Sequence, residues 1–210
     1  MIIVSSFKLN YNKKNVFSIE PIGADAEARC PLCGGMLSYR DSAARDSKNL
    51  LGEIRRFSLR RLLCKGCKKL HTEMPAFIQP YKHYDSYAIQ AVLDGNADAE
   101  ACVADDSTIR RWKADFAEAE ADIAQRLASI YAKATDGTVP IMSMGMPLSA
   151  IRFMVGHWLA FVTALLVNNG HGIRTRFAFV QPPYACILDA GENNKARGFK
   201  RNDKTTEDTG

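Results

Sequence analysis

Two Cys-x-x-Cys pairs, Cys30-Pro-Leu-Cys33 and Cys64-Lys-Gly-Cys67, constrain this chain more than any other feature. Each is a tight turn able to aim two sulfurs at one point, and four thiolates make the tetrahedral set typical of structural zinc. Gly34 and Gly35 follow the first pair and Gly66 lies inside the second. Glycine there lets backbone amides turn towards the sulfurs. The competing chemistry is a redox disulfide, but such a motif normally stands singly at a strand–helix junction. The expectation is one structural zinc ion on Cys30, Cys33, Cys64 and Cys67, with no position left for substrate.

A chain of 210 residues that is 47% hydrophobic can bury a core in one large domain or several small ones. Met1–Val4 is apolar, but Lys8, Lys13 and Lys14 follow that run instead of preceding it, so it does not read as a secretory signal. The most apolar stretch, residues 153–167, is interrupted by His157 and is too short to span a membrane. Thiols at metal spacing without a signal point to a reducing cytoplasm. Cys102 and Cys186 are left over as buried thiols.

The formal charge of +5 conceals an asymmetry. Residues 39–71 carry ten Lys and Arg against three Asp and Glu, whereas residues 85–136 carry five against eleven. The basic block coincides with the cysteine module, as expected of a nucleic-acid footprint. Arg55, Arg56, Arg60, Arg61, Lys65, Lys68 and Lys69 fall within fifteen positions that contain no acid. They are candidate phosphate contacts, the alternative being a solvated, solubilising face.

Residues 2–4 and 16–19 read as short strands around a polar turn, forming a hairpin packed on the module. Residues 36–41 and 54–63 read as two further strands, the second alternating with Phe57, Leu59 and Leu63 on one face. Residues 42–52 would be a long loop carrying Arg45 and Lys48. Two cysteine knuckles joined by a hairpin make a zinc ribbon, whose folding energy comes largely from the metal, roughly 10–16 kcal/mol in zinc-finger peptides. Loss of one thiolate should then unfold it. Pro75 and Pro80 make residues 72–84 an extended connector, with His71 and His83 as polar connector residues.

A helical section begins near Asp85. Residues 86–93 and 98–104 read as two short helices, the second turning Val103 and Cys102 inward. Asp106 or Ser107 caps a third, whose stripe is Ile109, Trp112, Phe116, Ile123, Leu127 and Ile130. That helix would run roughly 40 Å, so its second half either packs elsewhere or pairs with another subunit in a homodimer. Short helix, turn and capped helix is the helix-turn-helix arrangement, which would place Thr108, Arg110, Arg111 and Lys113 in the major groove. A plain bundle with solvated arginines is the alternative. Residues 147–168 read as one apolar helix, 175–180 as a short extended segment with Arg174 and Arg176 near it, and the tail from Asp189 as disordered.

The expected fold class is therefore α+β: a small zinc-ribbon β module followed by a mainly α-helical helix-turn-helix region. The divisions fall at 1–29, 30–71, 72–84, 85–136, 137–188 and 189–210. The run from Cys30-Pro-Leu-Cys33-Gly34-Gly35 through Tyr39-Arg40-Asp41, Arg60-Arg61-Leu62-Leu63-Cys64, His71-Thr72-Glu73-Met74-Pro75 and Pro80-Tyr81-Lys82-His83-Tyr84 resembles an uncharacterised bacterial family of small proteins found with mobile elements. Ser107-Thr108-Ile109-Arg110-Arg111-Trp112 and Thr175-Arg176-Phe177-Ala178-Phe179 continue the likeness over roughly residues 30–180. The ribbon is also similar to N-terminal zinc ribbons of some transposases. The resemblance implies DNA-related work in a mobile-element setting.

The reading is a cytoplasmic, nucleoid-associated protein that binds double-stranded DNA, a regulator or accessory factor for transposition or recombination. The alternative is an adaptor that docks a recombinase or transposase without reading DNA. An enzyme is not expected: the region after Gly137 lacks the carboxylate cluster of a metal-dependent strand-transfer site. No phosphate-cradling glycine loop or nucleophile motif is present either.

Overall fold

The longest ladder of the molecule joins β4 (Leu37–Lys48) to β5 (Ile54–Cys64), antiparallel along their whole length. The computed structural model describes residues 1–12, 15–27, 29–134 and 148–171. The stretch expected as a long loop is therefore strand, and the turn shrinks to residues 49–53. There Gly52 adopts φ +80°, and a Cβ on it would stand 2.7 Å from the Val103 side chain. Val103 is thus exposed against this turn, its N–H donating to the Leu50 carbonyl, and does not point into the helices.

The expected zinc-ribbon module does not stand apart. Six strands curl into a nearly closed barrel over residues 2–75, and the cysteine hairpin is embedded in it. One edge of β5 is taken by β4. Its other edge is shared: β3 (Val16–Pro21) pairs parallel at Arg56–Ser58, and β6 (Leu70–Pro75) pairs antiparallel at Arg61–Leu63. β1 (Ile2–Val4) adds to β6 in parallel, with Ile2 opposite Glu73, while β2 (Phe7–Tyr11) forms the hairpin with β3. Residues 2–4 and 16–19 are therefore not partners, and part of the expected connector is a sheet strand. Backbone donors of buried strands must be paired, and here the first and last strands of the barrel supply the partners.

Burial along β5 follows Phe57 and Leu59, then changes phase to Leu62 and Cys64 instead of Leu63. The change falls beside a register shift between Tyr39 and Asp41, where an extra residue on β4 re-aims the ladder. One face of the sheet therefore packs Ile3, Phe57, Leu59 and Met74 against Ile78 and the helices, while Leu62 and Cys64 are buried on the other.

The helical region is a packed bundle and not a helix-turn-helix. α1 (Ser86–Asp94) is capped by Asp85, which accepts from Ala88 N, and by Gly95 in the left-handed region. The expected second helix is a 3-10 turn over Ala97–Ala101, too short to brace a recognition helix. α2 (Asp106–Ala134) turns its stripe inward along its length: Trp112 meets Tyr84 edge-on at 5.2 Å and Phe116 meets Trp158 at 5.4 Å. Its second half packs within the chain through Ile123, Leu127 and Ile130. The single apolar helix expected over 147–168 is two, α3 (Leu148–Met154) and α4 (Trp158–Asn168). Buried Gln90 fills the break, donating to the Gly156 carbonyl and accepting from Leu159 N.

α4 ties the bundle to the barrel. The Asn168 amide accepts from Ile3 N and donates to Ile3 O, both at 2.8 Å, completing the outer edge of β1. Gly170 then passes so close to the first cysteine turn that a Cβ would lie 2.9 Å from Pro31 O. The segments expected at 175–180 and from Asp189, with Arg174, Arg176 and Cys186, lie outside the described residues.

Candidate metal centre

Both cysteine turns fold alike. In the first, Gly34 N donates to Cys30 O at 2.8 Å and Cys30 N to Gly35 O at 3.0 Å; in the second, Lys68 N donates to Cys64 O at 3.1 Å and Cys64 N to Lys69 O at 2.9 Å. The residue closing each turn is left-handed, Gly34 at φ +68° and Lys68 at φ +59°. The second turn thus places a lysine where the first uses glycine. A Cβ on Gly35 would stand 3.1 Å from Cys64 Sγ and 3.2 Å from Cys33 Sγ, so this glycine is the floor beneath the sulfurs.

The four sulfurs converge, all within 4.8 Å of one another. Cys30 and Cys67 are 3.7 Å apart, and Cys33 and Cys64 3.5 Å. A tetrahedron with metal–sulfur bonds of 2.3 Å has edges of about 3.8 Å, so these residues could hold a metal ion with little movement. Cys30 and Cys64 are buried, at 3% and 0% exposure, while Cys33 faces solvent. Burial pushes the Cys30 thiol up to about 12, against the pull of the Leu32 and Cys33 backbone N–H groups. The Gly35 N–H, with Cys64 and the Cys67 N–H, brings Cys33 down to about 6. A bound cation would favour the thiolate at all four.

His71, read from sequence as a polar connector residue, is buried at 3% exposure on β6. Its Nε2 lies 3.3 Å from Cys30 Sγ and its Nδ1 3.0 Å from the Met1 nitrogen. Burial, followed by the nearby Met1 ammonium, lowers its pKa to about 4. His83 is exposed. The sequence signal for His71 was weak: a histidine in a mixed run, Leu70-His71-Thr72-Glu73-Met74, before Pro75.

The strand arginines expected to touch phosphate are mostly engaged with carboxylates. Arg56 forks onto Asp46 at 2.8 and 2.9 Å, Arg60 onto Glu73 at 2.6 and 3.0 Å, and Arg61 onto Asp41. The cross-strand register of β4 and β5 places Asp46 opposite Arg56, an arrangement hidden from any reading of β5 alone. Arg55, Lys65, Lys68 and Lys69 are exposed. On α2, Arg110, Arg111 and Lys113 are exposed, and Arg111 donates to the Thr108 hydroxyl at 3.1 Å. These four lie at the start of a bundle helix, without the bracing element a major-groove reader needs.

Among the described residues, no helix is long and apolar enough to cross a membrane. Residues 30–112, less than half of the chain, match a family described as a domain of unknown function (DUF6431). The matched stretch opens at Cys30 and closes at Trp112, so it spans both cysteine turns but stops short of α4. No curated protein and no solved structure matches the chain.

Proposed function

We propose that this protein is a zinc-stabilised DNA-binding protein that grips the phosphate backbone at its second cysteine turn. Its setting would be regulation or assistance of a mobile genetic element in transposition or recombination. Zinc is favoured by four soft thiolates at tetrahedral spacing. The DNA reading is carried by one observation: Lys65 and Lys68 stand exposed on the turn around Cys67, while Arg56, Arg60 and Arg61 on the neighbouring strand are engaged by carboxylates. A lysine ammonium acts as a point charge on phosphate and carries no base information. Binding is therefore tolerant of sequence.

The test is fluorescence anisotropy of zinc-loaded protein on random duplex across a salt series. Each lost phosphate contact lowers the slope of log K against log salt by about 0.9. Lys65→Ala with Lys68→Ala should lower it by about 2. Absence of duplex binding at low salt would refute the reading, and an unchanged slope in the double variant would remove the turn from it.

A second reading, an adaptor that docks a recombinase or transposase, is favoured by exposed apolar side chains. Phe153 is 92% exposed at the end of α3, with Met154 and Phe161 exposed nearby. Retained capture of such a partner by a variant that has lost duplex binding would support it.

A further inference from the structure

We propose that His71 is a positioning residue of the metal centre, donating its Nε2–H to the Cys30 thiolate and so fixing a buried sulfur of the set. The inference rests on the metal reading above and adds a side chain that is not itself a ligand. Four thiolates around a divalent cation leave an excess of two negative charges. Such charge is tolerated in a protein interior when N–H groups point at it. Backbone N–H groups of Leu32 and Cys33 reach Cys30, but that sulfur is buried and needs support on its inner flank. His71 stands there, 3.3 Å away.

The ring orientation follows from the fold. The Leu62–His71 pair of the β5–β6 ladder holds the histidine on the same sheet face as Cys64. The parallel register of β1, Ile2 opposite Glu73, brings the Met1 nitrogen to Nδ1 at 3.0 Å. With that nitrogen as the donor, Nδ1 accepts and carries no proton, which leaves the ring N–H on Nε2, facing sulfur. A second partner that fixes the tautomer is the usual device by which an outer residue orients a metal ligand. His71 is outside the cluster whose ligand atoms all lie within 4.8 Å of one another, and the four sulfurs already fill a tetrahedron. The first strand of the chain is thereby coupled to a metal centre that begins at residue 30.

Three measurements separate this idea from the one beneath it. Cobalt titration of the wild-type protein should give the sulfur-to-metal charge-transfer bands of a tetrahedral thiolate site; their absence would overturn the metal reading and this inference with it. With the bands present, a long-range 1H–15N spectrum of the cadmium-113-loaded wild type should show His71 as the neutral Nε2–H tautomer, with cadmium coupling to that proton through sulfur. An Nδ1–H tautomer, or direct coupling of cadmium to a ring nitrogen, would overturn the positioning role. Finally, chelator competition should find His71→Leu weaker for zinc by roughly 10–100-fold, the range seen for outer-shell partners. His71→Gln, which keeps an N–H donor, should recover most of that loss. Equal zinc affinity in the wild type and His71→Leu would refute the proposal. The spectrum needs no variant, so the test survives a substitution that fails to fold.

Discussion

Replacing Arg60 by alanine should destabilise the barrel through Glu73, although Arg60 looks in sequence like a surface cation. The Glu73 side chain is 1% exposed, and the Arg60 guanidinium meets both of its oxygens. Removing one partner of a buried pair leaves an uncompensated charge, at a cost of about 3–5 kcal/mol. Arg60 is itself 41% exposed, so water would reach part of the vacated space. The lower end of that range, about 3 kcal/mol, is expected, which is a large share of the 5–15 kcal/mol typical of a domain. Urea unfolding with saturating zinc would measure it, provided the m-value is unchanged. Adding Glu73→Gln to Arg60→Ala should restore a good part of the loss, because a buried amide costs less than a buried carboxylate. A loss below about 1 kcal/mol in Arg60→Ala, or no recovery in the double variant, would refute the reasoning.

The Asp85 carboxyl is held above its ordinary value of 3.8, chiefly by burial. A raised folded-state value means that its charge destabilises the fold as pH rises through the carboxylate range. Asp85→Asn keeps a capping acceptor and should gain stability relative to wild type as pH climbs from about 4 to neutral, while Asp85→Ala should lose about 1 kcal/mol with the cap; thermal melts across pH would check both, and an Asn advantage that shrinks with pH would contradict this. Asn168→Ala removes both hydrogen bonds to Ile3 and should cost about 1–3 kcal/mol, with faster hydrogen exchange at the Ile3 amide. Chelation of the metal should lower the melting temperature while sparing much of the helical circular dichroism, because the bundle core around Trp112 and Trp158 contains none of the four cysteines. Complete loss of helix on chelation would instead make the metal a keystone of the whole fold.

How much was legible can be judged residue by residue. The cysteine pairs announce their turn geometry locally, since the spacing and the glycines suffice. The α2 stripe declares its helix for the same reason: Ile109, Trp112 and Phe116 recur at the helical period. What failed was partnership. Residues 86–134 carry the order of elements of a helix-turn-helix, but the middle element closes as a 3-10 turn and the third helix spends its apolar face on α4. Leu70–Pro75 carries His71, Thr72 and Glu73, a polar composition that disguises a central strand. His71 and Glu73 are buried because each finds a specific partner: Cys30 and Met1 for His71, Arg60 for Glu73. Arg56 and Arg61 read as free cations because their carboxylates sit on the neighbouring strand, ten and twenty residues away.

The sequence by itself determined four convergent thiolates, an amphipathic long helix and a concentration of positive charge beside the cysteines. Each depends on bonds, spacings or periods internal to a short segment. Tertiary structure alone decided that the cysteine hairpin joins a six-stranded barrel, that three arginines are neutralised, and that a histidine backed by the first residue reaches a buried sulfur. Those outcomes depend on which distant strands share an edge. Parallel pairings such as β1 with β6 leave no local mark in the chain, because the two strands are joined by nearly seventy residues and chosen by the whole core.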